Sequence, residues 1–129
     1  MKKILLLFVS IFFISPSISQ TSNPIRVGFG DAGETFAFPE DIKSDSNGFS
    51  IRLIGNFFKP MPTTNGRFVK SIESYYTVVC QSKLVRLNRR VLLTGPMGTG
   101  DVLESAQAAP IWEASTDPAL LSVINAFCK

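Results

Sequence analysis

The sequence predicts an α+β protein: an antiparallel β-sheet with a C-terminal α-helix packed on it and one disulfide. Three observations lead there. Between residues 25 and 105, short apolar runs of period two are separated by Gly, Pro, Asn and Asp clusters, the pattern of strands joined by tight turns. One helical stripe follows Thr116-Asp117-Pro118. The only two cysteines, Cys80 and Cys128, both lie downstream of an N-terminus with the character of an export signal.

That N-terminus comes first. Met1-Lys2-Lys3 is a charged start, Ile4 to Ile14 is apolar apart from Ser10, and Pro16 breaks the run ahead of Ser17-Ile18-Ser19. Residues 1–19 are expected to be a signal peptide and residues 20–129 a single domain beginning at Gln20. The alternative, a membrane anchor, has only 11 apolar-run residues where about 20 are needed to cross a bilayer. Nothing later in the sequence is long and apolar enough to span, so no transmembrane segment is expected. Removing the signal takes Lys2 and Lys3 from 13 basic side chains and leaves 11 against 10 acidic ones. A balance of +1 gives no general field for nucleic acid, so no nucleic-acid partner is expected.

The strands follow in order. Residues 25–29 and 35–38 flank Gly30-Asp31-Ala32-Gly33, a hairpin turn. Asp45-Ser46-Asn47-Gly48 is a second turn, leading to Phe49, Ile51 and Leu53 on one face and Ser50, Arg52 and Ile54 on the other. Residues 58–67, with Pro60, Pro62, Asn65 and Gly66, are expected to be an exposed loop, and Lys59 to Arg67 a place for contacts. Ile72, Ser74, Tyr76, Val78 and Cys80 then share one face, with Glu73, Tyr75, Thr77 and Val79 on the other. Residues 83–94 form a long strand with Val85, Leu87, Val91 and Leu93 on one side and Leu84, Arg86, Asn88, Arg90 and Leu92 on the other. Arg89 breaks this alternation, so either a bulge lies near Asn88 or the strand passes the edge of the core there. Gly95 to Gly100 makes a turn into a strand at 101–105. Asp117 and Pro118 are cap and first residue of a helix whose apolar stripe is Leu120, Leu121, Ile124, Phe127 and Cys128, packed on the sheet.

In an exporting compartment the two cysteines are expected to be joined, pinning the helix to the end of a central strand. A redox or nucleophilic pair is disfavoured by their distance in sequence and by the absence of histidine to activate a thiol.

Ser74-Tyr-Tyr-Thr-Val-Val-Cys80, a strand carrying Arg86, Gly95-Pro-Met-Gly-Thr-Gly100-Asp-Val-Leu-Glu-Ser105, then Trp112 and a short helix ending in Cys128 resemble the surface-adhesin protein E family of Gram-negative bacteria. The resemblance covers residues 69–129, and more loosely Gly33-Glu-Thr-Phe36 with Asp41-Ile42. It implies a sheet with a disulfide-bonded C-terminal helix, and a partner among host extracellular-matrix or serum proteins. This sequence lacks the lipid-attachment cysteine of surface-anchored members, so a periplasmic location stands beside outer-membrane display or secretion.

Chemistry is sparse. Without histidine the usual hydrolytic triads and most zinc sites are excluded, and neither an enzyme, a cofactor nor a metal is expected. Carboxylate pairs remain at Glu40 with Asp41 and at Asp101 with Glu104, read as a turn and as strand decoration. Gly95 and Gly100 have phosphate-loop spacing, but Asp101 and Val102 stand where Lys and Ser or Thr would be required. The ligand-binding candidates are Arg52, Arg86 and Arg90, all outward by the alternation above. They form either a basic patch for an anionic partner or a solvated sheet face. The expected function is an exported non-enzymatic binding domain of the adhesin type; the alternative is a soluble periplasmic envelope accessory protein without a host ligand.

Overall fold

The structure, a computed structural model, describes residues 23–128. The signal peptide expected at 1–19 and the new terminus at Gln20 lie outside the described residues. Eight antiparallel strands make one sheet: β1 (Ile25–Phe29), β2 (Gly33–Ala37), β3 (Lys43–Ser44), β4 (Gly48–Pro62), β5 (Phe68–Val79), β6 (Leu84–Leu93), β7 (Val102–Gln107) and β8 (Glu113–Ala114). Their order is β1-β2-β4-β5-β6-β7, with β3 beside β4 and β8 beside β6. Most neighbours in the sheet are therefore neighbours in sequence, as the run of turn signals requires. The helix α1 (Pro118–Phe127) closes the fold, and Cys80 and Cys128 are bonded, with Cα atoms 5.2 Å apart.

Helix and sheet meet on one face. Ala37, Phe49, Ile51, Leu53, Val78 and Val85 pack there against Leu120, Val123 and Ile124. Asp117 caps α1, its carboxylate accepting from the Ala119 N–H, and Pro118 is the first helical residue as read. The predicted stripe is corrected in part. Ala119 and Val123 are buried in addition, Leu121 is 39% exposed, and Phe127, 46% exposed, keeps its ring 5.9 Å from that of Phe49 on the sheet. The helix approaches β1 closely at Gly28, where a side chain would meet the Ala119 methyl at 2.7 Å. That contact selects the small residues Gly28 and Ala119 and turns the helix away from the predicted phase.

The other face has its own core at the opposite end of the sheet. Ile54, Val69, Ser71, Glu73, Val91 and Leu93 are buried and, by strand register, share that side. The turn from Gly95 to Gly100 folds down onto part of it. Its Gly98 N–H donates to Ser71 Oγ, Ser71 Oγ donates to the Gly95 carbonyl, and the Met97 N–H donates to Asn56 Oδ1. Gly98 has φ 78°, and a Cβ there would press on Glu73 Oε1 at 2.7 Å and Ile54 Cδ1 at 3.1 Å, so glycine serves both backbone and packing.

One strand supplies both cores because it contains a bulge. Tyr75 pairs with Arg89 but Tyr76 pairs with Leu87, leaving Asn88 as the extra residue of β6. Before Asn88, Val85 faces the helix; after it, parity inverts and Val91 and Leu93 face the turn. The predicted single apolar side, Val85-Leu87-Val91-Leu93, is thus split between two faces. The exposed loop expected at 58–67 is also shortened. The strand β4 runs on to Pro62, pairing Met61 with Val69 and Pro62 with Phe68, and only residues 63–67 turn. Among the described residues no strand lines the other side of β4 beyond Phe57, so Pro60 and Pro62 are tolerated as at a sheet edge.

Candidate functional site

The helix covers one face beside Phe49, Val78 and Val85, and the glycine turn covers the other face beside Ser71 and Glu73. What lies open is the half of the turn-side face formed by Ser50, Arg52, Tyr75, Thr77, Arg86, Asn88 and Arg89. Register sets Arg52, Tyr75 and Arg89 directly across three adjacent strands. A hollow of about 470 Å³ opens beside them, with Asp41, Arg52, Tyr75 and Asn88 in its walls.

Arg52 is the hub. Its Nε and Nη2 donate to Asp41 Oδ2 at 3.0 and 2.7 Å, its Nη1 lies 3.5 Å from Glu73 Oε1, and its guanidinium sits 4.9 Å from the Phe38 ring centre. Asp41 reaches this point because Pro39–Asp41 makes a single 3₁₀ turn between β2 and β3. Burial alone would disfavour the charge of Arg52, but the hydrogen bonds and charge of Asp41, with the charge of Glu73, raise its proton affinity above the ordinary arginine value. The Tyr75 hydroxyl donates to Glu73 Oε2 at 2.7 Å. Burial first, then that hydrogen bond and the Glu73 charge, push its pKa up, against the opposing charges of Arg52 and Arg89.

The two remaining arginines of this face are held differently. Arg86 Nε donates to Asn88 Oδ1 at 2.9 Å, Asn88 Nδ2 donates to Thr77 Oγ1 at 2.8 Å, and the Arg86 guanidinium lies 4.9 Å from the Trp112 ring centre. Arg89 stacks on Tyr75 at the same distance. Among the described residues neither makes an ion pair, whereas Arg26, Arg52 and Arg67 each have a carboxylate.

The three arginines selected from sequence are therefore not gathered in one patch. Arg52 and Arg86 share a face but stand on strands separated by β5, and Arg52 is already neutralised. Arg90 pairs with Ser74 and, by the parity change at Asn88, projects on the helix side. Arg89 takes the position expected for Arg90; its break in the alternation was the signal that could have found it. Glu73, the buried acid that ties Arg52 to Tyr75, carries no sequence signal beyond its place in a strand.

The arrangement offers little to a reaction. Asp41 and Glu73 have a guanidinium between them, Glu40 stands beside Asp41 in the wall of the hollow, and Asp101 pairs with Arg67 at 3.6 Å. Among the described residues no group of three or more His, Cys, Asp or Glu is placed to hold a metal ion, and no helix is long and apolar enough to cross a membrane. What the face does present is fixed positive charge beside aromatic rings. No curated protein matches the chain. The model of the surface-adhesin protein E family matches residues 25–129, which take in every strand and the helix, and the chain belongs to that family.

Proposed function

We propose that this chain is an exported, non-enzymatic binding domain that attaches to a host extracellular-matrix or serum protein through the open half of the sheet face away from α1. In this reading residues 1–19 are removed on export and residues 20–129 act as one domain. Family membership supports the adhesive role. The observation that carries the choice of surface is that Arg86 and Arg89, without acidic partners among the described residues, stand on the uncovered side, Arg86 beside Trp112 and Arg89 beside Tyr75. Free guanidinium groups on aromatic supports are a common recognition element at protein interfaces. Arg52, bound by Asp41 and Glu73, shapes the face, and Arg90 takes no part in the contact.

The test has two halves. Protease added to intact cells should degrade the protein, and the protein purified from the exported fraction should bind individual purified matrix or serum proteins saturably. Full protection on intact cells together with degradation after the outer membrane is opened would replace this reading with that of a periplasmic accessory protein.

A further inference from the structure

The free arginines suggest the chemistry of what they meet. On either side of the Asn88 bulge, Arg86 and Arg89 reach the same side of the sheet, as residues i and i+3 of a strand would not without an inserted residue. Each is oriented before any partner arrives. Arg86 is fixed at Nε by Asn88, which Thr77 fixes in turn, and its plane lies against Trp112; Arg89 lies against Tyr75. In Arg86 this leaves the terminal nitrogens to donate.

Between the two runs a hollow of about 370 Å³, lined also by Asn88, Gln107, Ala108 and Pro110 and by no acidic residue. Its shape is held from below, because the Ala108 N–H donates to the Asn88 carbonyl. Beside it Ile111 is 61% exposed and Trp112 is 41% exposed. From this geometry we infer that Arg86 and Arg89 form a two-arginine cleft for the carboxylates of an acidic peptide segment, with Ile111 and Trp112 receiving an adjacent apolar side chain.

Charge complementarity selects the ligand. Guanidinium forks match carboxylates in plane and in hydrogen-bond spacing. A long sulfated polysaccharide draws its affinity from many cations in a row, and this face has two free ones with an apolar margin. Residues 20–129 carry 11 basic and 10 acidic side chains, so no strong net charge adds a long-range attraction to that of the two arginines. This inference rests on the binding-domain reading above and names the part of the partner that the face takes.

Trp112 is the only tryptophan in the chain and reports on the cleft directly. The exported protein, disulfide intact, is titrated with a synthetic peptide in which glutamates flank one phenylalanine, and the tryptophan emission is followed. A saturable change is expected, weakening with added salt. Arg86→Gln and Arg89→Gln should each lower affinity about tenfold, the loss of one charge-assisted contact. Arg86→Lys, which keeps charge but loses the fork, should also weaken it, while Arg26→Gln at the far edge should not. Unchanged circular dichroism and urea midpoints establish that the variants fold.

Three results would overturn the inference: no saturable response, equal binding of the same peptide with glutamines for glutamates, or binding of a heparin oligosaccharide in place of the peptide. Outcomes for the two proposals separate cleanly. Peptide binding without capture of any matrix or serum protein keeps the cleft and removes the adhesive reading. Capture that survives in the Arg86→Gln, Arg89→Gln double variant keeps the adhesive role and removes the cleft together with the surface assigned to it.

Discussion

Replacing both Cys80 and Cys128 with serine tests the covalent tie that joins the end of β5 to the end of α1. The bond closes 48 residues of sequence, and in the chain-entropy treatment a loop of that length stabilises the fold by about 4 kcal/mol. A domain this size has a stability of roughly 5–15 kcal/mol, so the change is a large share of the total. With a urea slope of about 1.5–2 kcal/mol/M, the unfolding midpoint should fall by about 2–3 M. The thermal midpoint should fall by about 15–20 °C. Unfolding is followed by far-ultraviolet circular dichroism, with reduced native protein as a second arm expected to coincide with the double variant. The slope should stay the same or rise slightly, because the denatured chain loses a constraint and exposes more surface. A loss of less than about 1 kcal/mol would refute the argument that the bond acts by restricting the unfolded ensemble. A loss well above the entropic figure would place the effect in the native state, with Leu120, Val123 and Ile124 leaving the sheet.

Further outcomes follow from packing and charge. Leu120→Ala, at a side chain only 1% exposed, should cost about 2–5 kcal/mol in urea unfolding. Asp117→Ala removes the helix cap and should cost about 1 kcal/mol by the same measurement. Gly98→Ala meets both a left-handed backbone angle and the Glu73 carboxylate; it should cost more than about 1 kcal/mol and loosen the turn, seen as faster exchange of the Met97 amide that donates to Asn56. Arg52→Ala strands the Asp41 and Glu73 carboxylates and should cost about 1–3 kcal/mol in the same unfolding assay. The Tyr75 proton is held more tightly in the folded chain than in the unfolded one. Its contribution is full below the ordinary value of 10.0 and is lost as pH rises through the higher folded value, so alkaline urea midpoints should decline, and Tyr75→Phe should flatten that decline.

The sequence made the local elements readable. Hairpin turns at Gly30 to Gly33 and Asp45 to Gly48, the alternation from Ile72 to Cys80 and the Asp117-Pro118 start each depend on neighbours within a few residues, and the structure has all of them. Errors arose where a distant partner decides. Prolines at 60 and 62 suggested a loop because a proline signal says nothing about whether the strand beside it is central or at an edge. Ala119 is too small to mark a helix face, yet it is buried against Gly28 across the interface, where a larger residue on β1 would meet its methyl. The descent of Gly95 to Gly100 onto Ser71 joins residues more than twenty positions apart, and no periodicity records it. For the candidate face the anomaly at Arg89 was visible, but the alternation alone could not say on which side of Asn88 the inversion begins. That choice exchanges Arg89 for Arg90.

The bulge at Asn88 gives β6 a phase as well as a sequence. Its first half is written in one phase and its second half in the other, and Asn88 is the surplus residue that lets both halves keep consecutive partners on β5. Deleting Asn88 would let Arg89 follow Leu87 in plain alternation with its partner on β5 unchanged, so Val91 and Leu93 would keep their side of the sheet, while Arg86 would lose the amide that fixes it. The extra residue therefore serves the open face through its side chain: without it Arg86 and Arg89 would still point one way, as alternate residues of a regular strand, but with no amide between them.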